Sequence, residues 1–178
     1  MKRAILFILL FPCFVFATSL NFSTFVSDFS EKIYDADSMQ IAKITGKLYI
    51  QKPNLLRMDV KTPEEQVMIV KGDSAMIQIK NTKQITYSII PKENAWLIPS
   101  NILFNTDSLF NVNKTGDTLV ITPRDSTIPL DSIKINKNSP IEFMDIFTKD
   151  QMLKFRFSKQ QIDKKLNPKL FLFPKSSK

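Results

Sequence analysis

Few residues of this 178-residue chain could carry out catalysis. Glu64 and Glu65, with Asp59 nearby, form the one group of carboxylates that resembles the acid and base pair of a glycosidase. Adjacent residues of a strand point to opposite faces, and a pair that follows a proline turn is usually solvated. A carboxylate-dependent hydrolase is therefore the least favoured function for this chain.

Other common catalytic residues are absent. The chain has no histidine, and its single cysteine is Cys13. Imidazole and thiolate are the bases and ligands of Ser-His-Asp and Cys-His catalysis and of most zinc and copper sites. The glycines Gly46, Gly72 and Gly116 are isolated and form no phosphate-binding loop. The sequence thus predicts a protein that is not an enzyme and that uses no metal or cofactor.

The N-terminus has the features of an export signal. Lys2 and Arg3 precede an apolar run over residues 4–16, and a small residue follows at a position suited to cleavage. The run is shorter than the ~20 apolar residues of a membrane-spanning helix. We predict that residues 1–17 are removed and that residues 18–178 form one domain of a soluble exported protein.

Positive charge exceeds negative charge, with a formal net charge of +8. The densest basic cluster consists of Lys164, Lys165, Lys169, Lys175 and Lys178. A solvated surface explains this excess most simply, and attraction to anionic lipid headgroups or to an acidic partner is the alternative. No basic-aromatic motif typical of nucleic-acid binding is present.

The sequence predicts that most of the chain forms short strands. Apolar and polar residues alternate from Ala42 to Ile50 and again from Leu56 to Val60. Residues 67–70 are apolar on both faces, which predicts a strand covered on both sides. Further strands are predicted at 75–79, 85–89, 118–122, 130–135, 141–147, 152–157 and 170–173. The rhythm of strands and tight turns indicates an antiparallel meander.

Two segments depart from this rhythm. Phe22, Phe25, Val26, Phe29 and Ile33 have helical spacing, so we predict a short amphipathic helix over residues 20–33, in competition with an early strand. Residues 91–105 place apolar residues around an internal proline. They predict one or two short helices laid against the sheet.

Several motifs together resemble a known family. The segment 46–55, Gly-Lys-Leu-Tyr-Ile-Gln-Lys-Pro-Asn-Leu, is followed by Thr-Pro-Glu-Glu at 62–65 and Lys-Gly-Asp at 71–73. In order and spacing these resemble the outer-membrane lipoprotein carrier family, LolA. Further similar motifs are Phe25 with Phe29, Leu-Val-Ile-Thr-Pro at 119–123, and Phe-Leu-Phe-Pro at 171–174.

The resemblance implies a mainly antiparallel α+β fold, an incomplete, open β-barrel with short helices that form a lid over an apolar cavity. It also implies a monomeric periplasmic chaperone with no enzymatic activity. Such a chaperone takes acylated lipoproteins from an inner-membrane lipoprotein-releasing ABC transporter to an outer-membrane receptor or membrane. The alternative is a half-barrel sensor or scaffold of the cell envelope that binds a lipid or a protein without shuttling.

Site residues follow if the strand face that alternates against charge is the concave one. The predicted acyl-binding wall consists of Leu48, Ile50, Leu56, Met58, Val60, Val67 and Ile69. The predicted lid consists of Trp96, Leu97, Ile98, Ile102 and Leu103. Lys52 is the predicted latch of the closed lid, with Arg57 as the alternative. An ordinary packed core is the competing interpretation of wall and lid.

Three departures from the family pattern bear on these residues. Lys52 stands where the family commonly has an arginine, and a lysine lacks the arginine fork of donors. After removal of the predicted signal only residues 18–24 precede Phe25, so the first lid helix is expected to be short. The closing run ends in Pro-Lys-Ser-Ser-Lys and lacks the usual Pro-x-Gly continuation.

Overall fold

The computed structural model describes residues 22–90, 110–136 and 140–174. Within these ranges the chain forms eleven strands. They are β1 Thr24–Asp35, β2 Gln40–Gln51, β3 Leu55–Thr62, β4 Gln66–Lys71, β5 Ser74–Ile79, β6 Ile85–Ile89, β7 Phe110–Thr115, β8 Thr118–Pro123, β9 Ser132–Asn136, β10 Phe143–Phe147 and β11 Gln151–Ile162. A 3₁₀ helix, Pro168–Phe171, follows β11. The predicted leader and all five predicted lid residues lie outside the described ranges.

All eleven described strands belong to one antiparallel sheet. Their order is β6-β5-β4-β3-β2-β1-β11-β10-β9-β8-β7, so β1 lies at the centre and β6 and β7 are the two edges. Because no pairing joins β6 to β7 in the part of the chain that is described, the sheet is open. This confirms the prediction of a mainly antiparallel, unclosed sheet.

Cross-strand pairs assign the side chains to two faces. Phe25 of β1 lies opposite Ile50 of β2, which lies opposite Leu56 of β3. Directly opposed residues share a face, and we call this the inner face. The outer face carries the alternate residues, including Arg57 of β3 and its partner Ile69 of β4.

The helix predicted over residues 20–33 is wrong, because residues 24–33 belong to the central strand β1. The first four residues of β1 are all buried, and the β1–β11 register shifts between Val26 and Asp28. Ser27 is fully buried, and its hydroxyl donates to the Ser158 carbonyl at 2.8 Å. Burial on both faces and a polar core residue hide the two-residue period. The remaining apolar residues imitate helical spacing.

The C-terminal segment and β7 also differ from expectation. The strand predicted at residues 170–173 is wrong, because Pro168–Phe171 forms a 3₁₀ helix there. The Asn167 side chain accepts a hydrogen bond from the Lys169 amide at 3.0 Å and caps this turn. Strand β7 has no counterpart among the predicted strands, since most of its residues are polar and exposed.

Gly46 permits close packing beside β1. A Cβ atom at this position would overlap the Asp59 carbonyl oxygen and would lie 2.9 Å from Cε1 of Phe29. Phe29 lies directly opposite Gly46 and is buried. The missing side chain therefore makes room for an aromatic ring on the inner face.

Candidate functional site

A cavity of about 400 Å³ lies against the inner face of the sheet. Its described lining is Phe25, Phe29, Glu31, Leu48, Ile50, Leu56, Met58, Met68, Val70, Ala75, Ile90, Ile135, Ile141, Met144, Ile146, Leu153, Phe155 and Phe157. All of these residues are apolar except Glu31. The volume lies in the ~300–1,000 Å³ range of small-molecule sites, which are also mostly apolar.

Strand pairing brings the lining together from both sides of β1. Leu48 pairs with Met58, and Met58 pairs with Met68, so one row crosses β2, β3 and β4. On the other side, Phe155 of β11 pairs with Met144 of β10. The alternation of side chains along each strand thus collects distant parts of the chain on one apolar surface.

The structure brings four of the seven predicted wall residues to the cavity, namely Leu48, Ile50, Leu56 and Met58. Val60 lies on the same face within the main core cluster but does not line the cavity.

Val67 and Ile69 are not brought to this wall. They lie opposite Asp59 and Arg57 on the outer face, where they pack with Met76. Strand β4 is apolar on both faces, so its sequence does not reveal which residues face inward, and the pairing with β3 decides it. Met68 and Val70 are the residues of β4 that line the cavity.

Lining residues in the second half of the chain were missed, although a signal existed. Phe155 and Phe157 on β11, and Met144 and Ile146 on β10, each show the two-residue spacing of a strand face. The prediction of these strands was sufficient to nominate them as part of the wall.

Lys52 lies in the turn between β2 and β3. Its amide donates to the Ser23 carbonyl at 2.9 Å. Nearby, the Asp163 carboxylate accepts hydrogen bonds from the Ser23 amide at 2.6 Å and from the Ser23 hydroxyl at 2.8 Å. These bonds, and to a smaller extent the charge of Lys52, hold the pKa of Asp163 below its usual value. Lys52 therefore lies where the start of β1 meets the end of β11.

Arg57 is engaged on the outer face, away from the cavity. Its Nε lies 2.7 Å from Oδ1 of Asp59, and its Nη1 donates to the Leu170 carbonyl at 3.0 Å. The guanidinium thus binds the 3₁₀ helix to the sheet. Its role as the alternative latch stays a prediction, because the predicted lid residues lie outside the described ranges.

Glu31 is the polar residue of the cavity, and sequence reasoning missed it. It is 6% exposed and lies opposite Ile44 of β2 and Phe155 of β11. Within the described part of the chain its carboxylate has no hydrogen bond or ion pair, and burial raises its pKa to about 7. Its two-residue spacing from Phe29 was a signal that the helical interpretation concealed.

The carboxylates considered for catalysis lie elsewhere. Glu64 and Glu65 are exposed in the turn between β3 and β4, and Lys80 Nζ lies 3.6 Å from Oε2 of Glu65. Among the described residues no group of three or more His, Cys, Asp or Glu could hold a metal ion. No helix in that same portion is long and apolar enough to cross a membrane.

Comparison with known proteins identifies the family. Residues 20–174 match the family described as outer membrane lipoprotein carrier protein LolA. The chain belongs to the LolA family. The match confirms the resemblance that the sequence motifs indicated.

Named relatives of this LolA chain are moderately similar to it. The outer-membrane lipoprotein carrier protein of Actinobacillus succinogenes is 28% identical over 134 residues, which cover 72% of this chain and 64% of the relative. The protein of the same name from Histophilus somni is 25% identical over 154 residues, which cover 83% and 74%. This LolA chain thus spans slightly less than two thirds of the length of the first relative and about three quarters of the length of the second.

One solved structure is similar to this chain, and the similarity concerns the fold only. A DUF1329 family protein from Desulfovibrio piger superposes on it with a TM-score of 0.53 at 9% sequence identity. The superposition covers 85% of this chain and 90% of the other protein's chain.

Proposed function

We propose that this protein is a periplasmic carrier that binds the acyl chains of lipoproteins in the inner-face cavity. The observation that carries the proposal is the apolar cavity of about 400 Å³, in which Glu31 is the one ionisable residue among the described lining. Membership of the LolA family and relatives named as lipoprotein carrier proteins support it. That family description is of a carrier and not of an enzyme.

Transfer energetics explain why a carrier needs such a cavity. At ~0.8 kcal/mol per buried methylene, a chain of about 15 methylenes prefers an apolar environment by about 12 kcal/mol. An acyl anchor therefore does not cross water unaided. A carrier must offer a comparable apolar surface to the anchor.

The proposed wall combines predicted residues with residues that the structure adds. Leu48, Ile50, Leu56 and Met58 contact the acyl chain, and Val60 supports them from the core. Met68 and Val70 take the place on β4 that Val67 and Ile69 were expected to fill.

The lid and the route are further parts of the proposal. Trp96, Leu97, Ile98, Ile102 and Leu103 cover the cavity when no cargo is bound, and Lys52 acts as the latch. The cargo comes from an inner-membrane lipoprotein-releasing ABC transporter and passes to an outer-membrane receptor or membrane. Family membership supports this route.

Release of lipoproteins from spheroplasts tests the carrier function. The purified protein is added to spheroplasts that display an acylated lipoprotein or the same protein with its lipidated cysteine replaced by serine. We expect release of the acylated form only. Equal release of both forms would contradict a function based on acyl binding.

A cavity-filling variant links that release to the site. Ala75 lines the cavity, whereas its neighbour Ser74 does not. Adjacent residues of a strand face opposite ways, so Ala75→Phe should fill the cavity and Ser74→Phe should not. We expect Ala75→Phe to lose most of the release and Ser74→Phe to keep it. Deletion of the gene then separates a carrier from a sensor, because a carrier's loss leaves lipoproteins in the inner membrane.

A further inference from the structure

Binding of an acyl chain does not by itself explain why an acidic residue, Glu31, is buried in the cavity wall. The residue is 6% exposed, lines the cavity and has no hydrogen bond or ion pair within the described part of the chain. A buried carboxylate without a partner is costly, so an apolar residue would serve better if the position only had to pack. Ligand pockets, in contrast, typically hold a few polar groups that orient the ligand.

Among the described strands, the neighbours of Glu31 on the inner face are apolar on every side. The residues next to or opposite it are Phe29 and Ile33 along β1, Ile44 on β2, Phe155 on β11, and Met144 beyond Phe155 on β10. Lys32, Lys43 and Lys154 alternate with these residues and occupy the outer face. No charged group of the described strands therefore neutralises Glu31 from within the cavity.

The position of Glu31 fits the polar group of an otherwise apolar, elongated ligand. It is the last residue of β1 to line the cavity, six positions after Phe25, which is about 20 Å along a strand. Ile50 lies opposite Phe25, and Leu56 and Val70 continue that row. Beyond Glu31, Leu153 and Ile146 in the row of Ile33 also line the cavity, so Glu31 is a single polar point in an otherwise apolar lining. The polar group of a bound amphiphile can find a hydrogen-bonding partner at that point.

We propose that Glu31 anchors the polar end of the bound acyl group and selects neutral ligands with an N–H or O–H donor beside the carbonyl, such as N-acyl amides. This inference rests on the acyl-carrier function proposed above and names its ligand class. A carboxylate accepts a charge-assisted hydrogen bond from such a donor. A free fatty acid instead brings a second negative charge into apolar surroundings, and the two carboxylates repel each other.

Three ligands of equal chain length test the selection. Decanamide carries a donor, methyl decanoate carries none, and decanoate is charged. At pH 8.5, titration calorimetry of the purified protein should show decanamide binding about tenfold or more tightly than methyl decanoate, with decanoate weakest. In Glu31→Leu, the affinities for the two neutral ligands should lie within about twofold of each other. Glu64→Leu, at an exposed position, should preserve the wild-type preference.

A pH series on the unmodified protein gives an independent measurement, which decides the question even if Glu31→Leu does not fold. Because burial raises the pKa of Glu31 to about 7, the carboxylate is ionised at pH 8.5 and protonated at pH 5.5. Protonation weakens its role as an acceptor and allows it to donate to an ester carbonyl. The preference for decanamide over methyl decanoate should therefore fall toward one at pH 5.5.

The outcomes separate the two proposals. If the unmodified protein binds none of the three ligands, acyl binding itself is wrong. If it binds the neutral ligands equally at both pH values, or if Glu31→Leu keeps the preference, the role of Glu31 is wrong and the acyl-carrier function stands.

Discussion

The two faces of the sheet carry similar apolar residues, but the described residues around them differ. On the outer face, Val67, Ile69 and Met76 form a small cluster against which Phe173 packs. On the inner face, a larger apolar surface borders the cavity. Aliphatic side chains and methionines occur on both faces, so residue type does not tell a packed core from a binding wall.

Specific polar contacts hold the C-terminal segment, residues 168–174, against the outer face. Arg57 donates to the Leu170 carbonyl, and the Tyr87 hydroxyl donates to the Pro174 carbonyl at 2.9 Å. The rings of Tyr87 and Phe173 lie 5.9 Å apart in an edge arrangement. The inner face instead holds Glu31, a buried acid without a partner among the described residues. Among the described residues, the satisfaction of polar groups distinguishes the two surfaces more than hydrophobicity does.

The largest effect is expected from a matched pair of truncations. Ile69 on the outer face and Leu56 on the inner face are each 1% exposed. Ile69→Ala should lower the free energy of unfolding by about 3–4 kcal/mol, because it opens a void in a packed cluster. Leu56→Ala should cost about 2 kcal/mol, since its side chain already borders empty space. Urea denaturation measures both values.

Ligand binding should reverse that order. Leu56→Ala should weaken decanamide binding, while Ile69→Ala should leave it within about twofold of the wild type. Equal losses of stability and affinity in the two variants would mean that the faces do not differ in the way described.

The next effect concerns Glu31 and has a defined dependence on pH. Its pKa is raised from 4.5 to about 7, so between these values the folded state retains a proton that the unfolded state releases. Stability should therefore fall as pH rises from 4.5 to about 7, by about 2–3 kcal/mol in total. Glu31→Leu should abolish this slope and should be more stable than the wild type at pH 8.

Urea titrations at pH 5 and pH 8 measure the slope, with Glu64→Leu as the exposed control. Retention of the full slope in Glu31→Leu would assign it to another group.

The smallest effect concerns the attachment of the C-terminal segment. Arg57→Met removes an ion pair with Asp59 and the hydrogen bond to Leu170, which should cost about 1–2 kcal/mol. It should also speed amide exchange of residues 169–173. Arg156→Met is the control, because Arg156 is more exposed and pairs with Asp145 without holding that segment. If Arg57→Met leaves the amide exchange of this segment unchanged, residues other than Arg57 attach the C-terminal segment to the sheet.

Alternating sequences predicted most of the sheet correctly. Strands β2 and β3 have aliphatic residues on one face and charged residues on the other, and the predicted meander follows from them. The same alternation placed Leu48, Ile50, Leu56 and Met58 on one face, where all four line the cavity. Local pattern was sufficient wherever one face of a strand is polar.

The alternation of apolar and polar residues failed to predict the structure in two situations. In one, both faces of a strand are buried; in the other, strand pairing decides which residues face inward. Strand β1 lies mid-sheet with Ser27 and Glu31 in its interior, so its period was misread as helical. Strand β4 is apolar on both faces, and its inward residues depend on the register with β3. The 3₁₀ helix was mistaken for a strand because its apolar residues cover the outer face rather than extend the sheet.

The central place of β1 also governs the order of folding. Its partner β2 follows it after a short turn, whereas its other partner, β11, begins 116 residues after the end of β1. Local hairpins such as β2–β3 close quickly, and a pairing over so long a stretch closes late. Until β11 arrives, one edge of β1 is unpaired and Phe25 and Phe29 lack the rings of Phe155 and Phe157 beside them. A chain released before residue 162 would therefore expose an apolar strand edge prone to aggregation.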